Sequence, residues 1–464
     1  MPKKGTEKRL RAICTFFVLM LASVSFVSAS ATLLLEEPYG KLGAFNATGH
    51  SAVYLSGVCA DTPLVLRRCV SGENGVVISR YNGVAGYDWV AIPLVPYLYA
   101  VERPDDVPLF ADAKMVSFLR ERYRREHLEA IVPDENNGEV PGGNWYELVG
   151  TSYDRTVYGF EVQTTPEQDD YLIETLNSGS NRSHYRTVSR NCADFVKYVM
   201  NLYYPKALHR NFIADIGIAT PKQMAKSLVL YARRHPELQL SSFVIPQVPG
   251  SLWRSTAVHG VVESFLKSKK YFVPAAVLSP ITMGSVAAVY LGTGVGRFDP
   301  VRGAKVYNAQ GELEPPMGAE DRRSYEKELQ HFLADSAART KTGHVEKSWQ
   351  RLQTEAKPEM DEAGRPVLQI KVGEQLVDVG VSAGNIFASG APPQLTQRLL
   401  EARLSEELRH SGKVPKASQS DVDRDWSLLQ QAMGGGGRQL TARSRQRLES
   451  SRFPASERSD GNRP

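Results

Sequence analysis

The residues best suited to chemistry lie in the stretch Ser189 to Val196, Ser-Arg-Asn-Cys-Ala-Asp-Phe-Val. From Cys192 onward, apolar residues recur at helical spacing, which predicts an amphipathic helix of about three turns with the cysteine in its first turn. Asn191 is a favourable N-cap for this helix. A thiol at a helix start is close to unpaired backbone N–H groups and to the positive end of the helix dipole, which lowers the thiol pKa. Cys192 is therefore a candidate nucleophile, although a small apolar residue that begins a core helix would show the same pattern.

An export signal is indicated at the N-terminus. Basic residues lie between Lys3 and Arg11, an apolar run extends from Ala12 to about Val27, and Ala29-Ser30-Ala31 is a small-x-small cleavage site. This arrangement is typical of a secretory signal peptide over residues 1–31, so we expect an exported, periplasmic protein. An uncleaved anchor would need a longer apolar run.

The number and spacing of the cysteines bear on the role of the Cys192 thiol. Of the four cysteines, Cys14 leaves with the signal peptide, and Cys59, Cys69 and Cys192 remain. Cys59 and Cys69 bracket a short segment, so we expect a disulfide between them in an oxidising compartment. Cys192 is then unpaired, and an unpaired cysteine in such a compartment is a liability unless it is buried or used.

A nucleophilic thiol needs a base, and His50 is the candidate. It lies in Gly49-His50-Ser51-Ala52-Val53-Tyr54-Leu55, at the first residue of a predicted strand after a glycine turn. A strand end on a rigid sheet is a good place to fix an imidazole ring. The other histidines lie among charges, in polar loops or in no recognisable setting. On position alone, a histidine in this setting is more often purely structural than catalytic.

Composition excludes several functions. The chain has 464 residues, of which 42% are hydrophobic and 23% charged, and its net charge is +5 with Lys and Arg spread throughout. These values are ordinary for a soluble globular protein of two or three domains. The sequence has no zinc-finger spacing, phosphate-cradling loop or basic and aromatic stripe, so we expect neither a nucleic-acid partner nor a metal or other cofactor.

The first half of the chain supplies a frame for the candidate residues. Strand-like runs occupy much of residues 32–92 and return at residues 156–164. Helical patterns begin after residue 111 and at two Thr-Pro-x-Gln start signals, Thr165 and Thr220. A strand cluster followed by helices predicts an α+β domain over residues 32–249.

The second half has a different composition. Residues 250–296 contain a helical segment and then an uncharged run from Tyr271 to Gly296, long enough to cross a bilayer. The run contains prolines and glycines and follows a lysine cluster, and both features argue against a simple membrane span. Two interpretations stay open. The run is either a membrane span or hairpin that anchors the protein to the inner membrane, or a buried or surface-docked segment. Residues 297–412 predict a small mixed region with charged helices and a strand pair, and residues 413–464 a disordered tail.

The two motifs together resemble the circularly permuted papain-like thiol enzymes. In that group a histidine opens a strand, as in Gly49 to Leu55, and an Asn-Cys-x-x-Phe-Val type motif opens a later helix, as in Asn191 to Val196. Lecithin:retinol acyltransferase-like proteins show this order, and NlpC-type cell-wall peptidases use the same parts with the cysteine first. Over about residues 33–205 the sequence looks most like the periplasmic domain of Lnb-type bacterial lipoprotein N-acyltransferases.

The resemblance implies a permuted papain-like fold and nucleophilic acyl transfer. His50 would take the proton of Cys192, and the thiolate would form a thioester that passes to water or an amine. In the permuted family the group that orients the imidazole lies at the start of the next strand, which here falls on Asp61 or Thr62. Asp61 is the better choice because a carboxylate also stabilises the imidazolium. The backbone N–H of Cys192 and a neighbouring N–H would supply the oxyanion donors.

Three functions follow for consideration. The first is an envelope cysteine acyltransferase acting on a lipid or lipoprotein substrate. The second is an NlpC-type peptidase or amidase acting on cell-wall peptide. The third is a non-catalytic scaffold or binding module of the envelope in which Cys192 is merely packed.

Overall fold

The computed structural model describes residues 29–40, 48–82, 84–108, 112–135, 138–248, 255–309, 311–312, 344–382 and 385–390, with residues 323, 327 and 399. The chain divides into two compact units after Pro315. Strands and helices occur in both units, so the predicted α+β class is confirmed. Most of the predicted signal peptide, nearly all of the predicted charged helices at residues 324–333 and 394–408, and the whole tail from residue 413 lie outside the described residues.

The first unit is built on a mostly antiparallel sheet. Its strands are β1 (Ser30–Glu36), β2 (His50–Leu55), β5 (Val76–Ser79), β6 (Val90–Pro93), β7 (Val157–Gln163), β8 (Ser241–Ile245), β9 (Lys305–Asn308) and β10 (Gly311–Glu312), and a separate hairpin is formed by β3 (Val58–Thr62) and β4 (Val65–Arg68). The eight strands of the sheet lie in the order β10-β9-β8-β7-β1-β2-β5-β6. Only β8 and β9 pair in parallel among these described strands.

Helices of the first unit follow the strands they cover. They are α1 (Leu94–Tyr99), α2 (Ala113–Tyr123), α3 (Thr151–Asp154), α4 (Pro166–Ser178), α5 (Cys192–Tyr203), α6 (Phe212–Asp215), α7 (Pro221–Ala232), α8 (Val261–Lys267), α9 (Lys269–Leu278) and α10 (Pro280–Thr293). Because side chains alternate along a strand, one face of the sheet presents the apolar residues of β1 and β2 to α5 and α7. Burial of this shared core fixes α5, and with it Cys192, against the sheet.

Helix starts follow the signals in the sequence. The Thr165 side chain accepts from the Gln168 backbone N–H at 3.3 Å, and Gln168 Oε1 accepts in return from the Thr165 N–H at 2.9 Å, which completes a capping box for α4. The Thr220 side chain caps α7 by accepting from the Gln223 backbone N–H at 3.3 Å. Both predicted helix starts are confirmed.

The first unit extends beyond the predicted domain boundary at Pro249. The reason is that β9 pairs with β8 and so adds residues 305–312 to the same sheet. Between these strands the apolar run forms two short helices, α9 and α10, separated at Ser279. Within the described residues no helix combines the length and apolar character needed to cross a membrane.

The second unit contains a smaller sheet. Its strands are β11 (Lys357–Met360), β12 (Pro366–Val372), β13 (Gln375–Ser382) and β14 (Asn385–Ser389), which pair antiparallel in chain order, and α11 (His344–Glu355) precedes them. The predicted strand pair of this region corresponds to β12 and β13.

Candidate active site

Cys192 is the first residue of α5, and a polar cap fixes the start of that helix. Asn191 Oδ1 accepts from the Asp194 backbone N–H at 3.0 Å, and the Asn191 Nδ2 donates to the Thr187 and Ala219 carbonyls at 2.8 and 3.0 Å. The Asp194 carboxylate lies near the Asn191 backbone N–H, as in a capping box. The predicted N-cap is confirmed, and it also ties the helix start to two loops.

Arg80, just after β5, holds the same helix start from the side of the sheet. Its Nη1 donates to the Asn191 carbonyl at 3.3 Å, and its Nη2 pairs with Asp88 Oδ2 at 2.7 Å. The guanidinium also lies 5.0 Å from the centre of the Phe195 ring. A buried arginine with these contacts links the strand end to the helix rigidly.

The thiol lies where β2 and β5 separate. These strands pair from Leu55↔Val76 to Val53↔Ile78 and no further towards the start of β2. At that opening the Ser51 amide N–H and hydroxyl face the Cys192 thiol. The fully buried Ser51 hydroxyl has no other hydrogen-bond partner among the described residues. Cys192 is thus held against the residue that follows His50.

Burial makes the resting thiol a weak acid. It raises the pKa of Cys192 to about 11, and the nearby Glu36 carboxylate adds to the rise, whereas the Ser51 contacts and the Ala193 backbone N–H oppose it. The expectation from sequence was a lowered pKa. The direction is reversed because loss of solvent outweighs the helix-start donors when the sulfur is enclosed.

His50 opens β2, as the sequence predicted. Its ring stacks on Tyr81 with centroids 4.2 Å apart. Burial, followed by the positive charge of Arg155, lowers the pKa of His50 well below its usual value. The buried Nε2 has no hydrogen-bond partner in the described part of the chain. The imidazole is therefore neutral, and because side chains alternate along β2 it lies on the face of the sheet that Glu36 shares, opposite the Ser51 side chain that contacts the thiol.

A tight turn at Gly49 places His50 at the start of β2. Gly49 has a φ of +70°, and a Cβ at Gly49 would lie 2.1 Å from the Glu36 carbonyl oxygen. Only glycine satisfies both the backbone conformation and the close approach. The Gly-His pair of the motif thus has a direct structural reason.

Glu36 is a candidate that the sequence reasoning missed. It is the last residue of β1 and the direct cross-strand partner of His50, so the two side chains share one face of the sheet. Glu36 is fully buried, accepts a hydrogen bond from the Tyr97 hydroxyl and lies 3.3 Å from Arg155 Nη1. Burial raises the pKa of Glu36, while Arg155 and Tyr97 oppose the rise.

A signal for Glu36 was present but could not be interpreted from the sequence. An acidic residue ends a strand that is otherwise apolar from Leu33 to Leu35. A buried carboxylate of this kind requires partners. Nothing in the linear order identifies Arg155 or Tyr97 as those partners, since each is more than 60 residues away.

Asp61 and Thr62, the predicted orienting residues, lie elsewhere. Asp61 pairs with Arg67 Nε at 2.6 Å on the β3–β4 hairpin, and its side chain is 60% exposed. The Thr62 hydroxyl accepts from the Leu64 backbone N–H at 3.3 Å. The structure does not bring either side chain to His50, because the chain leaves the main sheet after β2 and forms its own hairpin.

That hairpin carries the disulfide expected from the sequence. Cys59 and Cys69 are bonded, with their Cα atoms 4.8 Å apart, and Cys192 is free and buried. Among the described residues the one group with metal-ligand proximity is Cys59, Cys69 and Glu73. Its sulfur atoms are in the disulfide and Glu73 is paired with Arg67 at 2.7 Å, so the group does not suit a metal ion.

Tyr185 covers the predicted oxyanion donor. Its hydroxyl lies within hydrogen-bonding reach of the Cys192 backbone amide, and burial raises the pKa of Tyr185 so that it stays a neutral phenol. A substrate oxygen that used the Cys192 N–H would have to replace this hydroxyl. The loop that carries Tyr185 therefore restricts access to the thiol.

Comparison with known proteins adds little to this geometry. No protein-family model and no curated protein matches the chain. Among solved structures, the type VI secretion system effector TseH matches with 14% identity and a TM-score of 0.22, over 44% of this chain and 90% of the effector. At that score the match carries no argument about fold or function.

Proposed function

We propose that the protein is a cysteine-dependent enzyme that moves or cleaves an acyl group through a thioester on Cys192. The observation that carries the proposal is the position of this thiol. The free cysteine begins a capped helix, and its sulfur lies against the residue next to His50 at an opening in the sheet. A thiol, an imidazole and a helix N-terminus are the parts that acyl transfer requires.

The proposed reaction begins from the neutral pair. His50 accepts the proton of the Cys192 thiol as sulfur attacks the carbonyl carbon of an ester or amide. The tetrahedral oxyanion accepts a hydrogen bond from the Cys192 backbone N–H, which lies near the Tyr185 hydroxyl at rest. The intermediate then expels an alcohol or amine, which takes the proton from the imidazolium. Attack of water or an amine on the thioester, with His50 again accepting the proton, regenerates the thiol.

Glu36 is the proposed positioning residue. A carboxylate across the strand pair from His50 stabilises the imidazolium that forms during proton transfer. The Tyr97 and Arg155 contacts hold that carboxylate in place. This role replaces the one that the sequence suggested for Asp61.

The finer assignment is acyl transfer that involves lipid or lipoprotein, on a permuted papain-like fold in the periplasm. The order His50 before Cys192 and the resemblance to Lnb-type enzymes support it, and the Cys59–Cys69 disulfide is consistent with an oxidising compartment. An NlpC-type cell-wall peptidase is the enzymatic alternative. A silent binding module is favoured by one observation: the buried Nε2 of His50 has no hydrogen-bond partner within the described residues, the thiol included.

Substrate-class assays test the proposal. The purified protein is incubated with a synthetic diacylated lipopeptide plus phospholipid, and separately with purified muropeptides, and products are identified by mass spectrometry. We expect acyl transfer on the lipopeptide, its loss in Cys192→Ser and in His50→Ala, and full retention in Asp61→Asn. Cleavage of muropeptides alone would establish the peptidase, and turnover by Cys192→Ser would contradict the cysteine mechanism.

A further inference from the structure

An apolar hairpin, defined here as α9 and α10, leaves its side chains facing solvent. Exposure is greatest where the two helices meet, at 76% for Val277, 86% for Leu278 and 84% for Ile281. No residue of α9 is buried, and Tyr290 is the only buried residue of α10. A contiguous apolar surface of this kind on a folded unit marks an interaction site.

Polar contacts anchor the base of this hairpin to the first unit. Glu263 of α8 pairs with Lys222 of α7 at 2.6 Å, and Lys226 Nζ donates to the Val295 carbonyl at 2.5 Å. The buried Tyr290 lines a small cavity beside these groups. The base is therefore fixed, whereas the tip around Leu278 projects from it.

The distribution of charge along the apolar hairpin indicates which kind of partner it binds. No charged residue occurs from Tyr271 to Gly296, and the flanking positions are cationic. These flanking residues are Lys267, Lys269, Lys270 and Arg297, and all four are exposed. An uncharged tip between cationic ends matches an apolar phase bordered by anionic headgroups.

We propose that the apolar hairpin inserts into one leaflet of an anionic lipid bilayer. With ten and fourteen residues, α9 and α10 are about 15 and 21 Å long, comparable to half of the roughly 30 Å hydrocarbon core. A protein partner would cover one stripe of a helix, whereas α10 is apolar around its circumference. Lipid can contact all the exposed sides of such a helix at once.

A second apolar cluster extends the membrane-binding surface towards Cys192. Phe212 and Ile216, in and just after α6, are exposed, and α6 packs against α8 and α10. The same segment leads to Ala219, whose carbonyl accepts from the side chain of Asn191, the cap of α5. The bound bilayer would therefore lie on the side of the molecule where the cysteine helix begins. This proposal does not depend on the cysteine chemistry.

Vesicle flotation tests the insertion. The full chain is mixed with vesicles of phosphatidylcholine alone and with vesicles containing about 30% phosphatidylglycerol, as a probe composition of roughly physiological anionic content. We expect wild type to float with the anionic vesicles, and Leu278→Asp with Ile281→Asp to reduce the bound fraction at least about tenfold, since each change places a charge in hydrocarbon. Lys269→Glu with Lys270→Glu should remove the preference for anionic vesicles.

Leu376→Asp is the matched control, because Leu376 is also an exposed leucine, at 58%, but lies in β13 of the second unit. It should float like wild type. All variants keep the N-terminal apolar run, so differences among them report on the hairpin.

Leu278→Trp gives a readout that does not depend on folding of the aspartate variants, since brominated acyl chains should quench the fluorescence of the introduced indole. Unquenched emission from that indole, or equal flotation of wild type and the double aspartate variant, would overturn the proposal. A wild-type dimer that the aspartate variant abolishes, without vesicle binding, would overturn it in favour of self-association.

Discussion

At the scale of single residues, the protonation of Cys192 and His50 is the unusual feature of the site. Burial raises the pKa of the thiol and lowers that of the imidazole, so both groups are neutral at pH 7. The resting site thus differs from a preformed thiolate–imidazolium pair. The proposed mechanism therefore requires proton transfer from Cys192 to His50 to accompany substrate binding, with movement of the imidazole towards the sulfur.

The thiol pKa predicts how Cys192 reacts with iodoacetamide. Because only the thiolate is alkylated and the pKa is about 11, the rate in the native protein should rise about tenfold per pH unit from pH 7 to 10 without a plateau. The rate is measured by quenching the alkylation at set times and quantifying the modified Cys192 peptide by mass spectrometry. The denatured chain is the control and should titrate near the ordinary value of about 8.5. A native plateau below pH 8 would show that the thiol is already ionised at rest.

Glu36→Gln tests the positioning role. The amide keeps the size of the side chain but removes the charge that stabilises the imidazolium, so kcat should fall about tenfold or more with KM little changed. The kcat/KM profile should be lowered across the whole pH range. Asp61→Asn is the matched carboxylate-to-amide control and should leave the profile unchanged. Superimposable profiles for Glu36→Gln and wild type would remove Glu36 from the mechanism.

At the scale of secondary-structure elements, local signals were more informative than long-range ones. The sequence predicted the helix caps and the strand that His50 opens, because each depends on residues within one turn or one strand. The caps are Asn191, Thr165 and Thr220. The pairing of β1 with β2, which brings Glu36 opposite His50, depends on which strands become neighbours in the sheet. Sequence periodicity does not encode that choice, and the family resemblance, which places the orienting group at the start of the next strand, indicated Asp61 instead.

The cap of α5 should couple stability to activity. Asn191→Ala removes the helix cap and leaves the Thr187 and Ala219 carbonyls without their donor, so the free energy of unfolding should fall by about 1–3 kcal/mol. Activity should fall as well, because the cap positions Cys192. Thr165→Ala removes the corresponding cap of α4 and is the control: urea denaturation should show a loss of about 1 kcal/mol, with kcat unchanged. Equal effects of the two substitutions on kcat would contradict a positioning role for Asn191.

At the scale of the whole molecule, the sequence predicted the α+β class but not the extent of the first unit. Strands β8 and β9 are short, and their pairing joins residues separated by more than 60 positions. Composition alone marked the run from Tyr271 as suitable for a membrane, while the structure shows two short helices with an exposed junction. The length of each helix, rather than total hydrophobicity, separates insertion into one leaflet from crossing the bilayer.

The Cys59–Cys69 disulfide should stabilise the first unit without supporting catalysis. It closes a loop with a sequence separation of 10, for which chain entropy gives about 3 kcal/mol. Replacing both cysteines by alanine should lower the unfolding midpoint of the first unit and leave that of the second unit unchanged, as followed by calorimetry. Reaction rates below the midpoint should be retained, since Asp61 and Thr62 have their polar partners within the hairpin itself. A parallel loss of kcat would restore a catalytic role to the hairpin.

The most direct measurement is the detection of an acyl group on Cys192. The full chain is mixed with a p-nitrophenyl ester of a fatty acid, quenched in acid within seconds, and examined by intact-mass and peptide mass spectrometry. A thioester mechanism predicts one acyl group per chain, located on Cys192, removed by neutral hydroxylamine, and strongly reduced in His50→Ala although the thiol is still present. Native protein that acquires no acyl group on Cys192, or that is acylated equally fast when His50 is replaced, would contradict the assignment of this cysteine as the nucleophile.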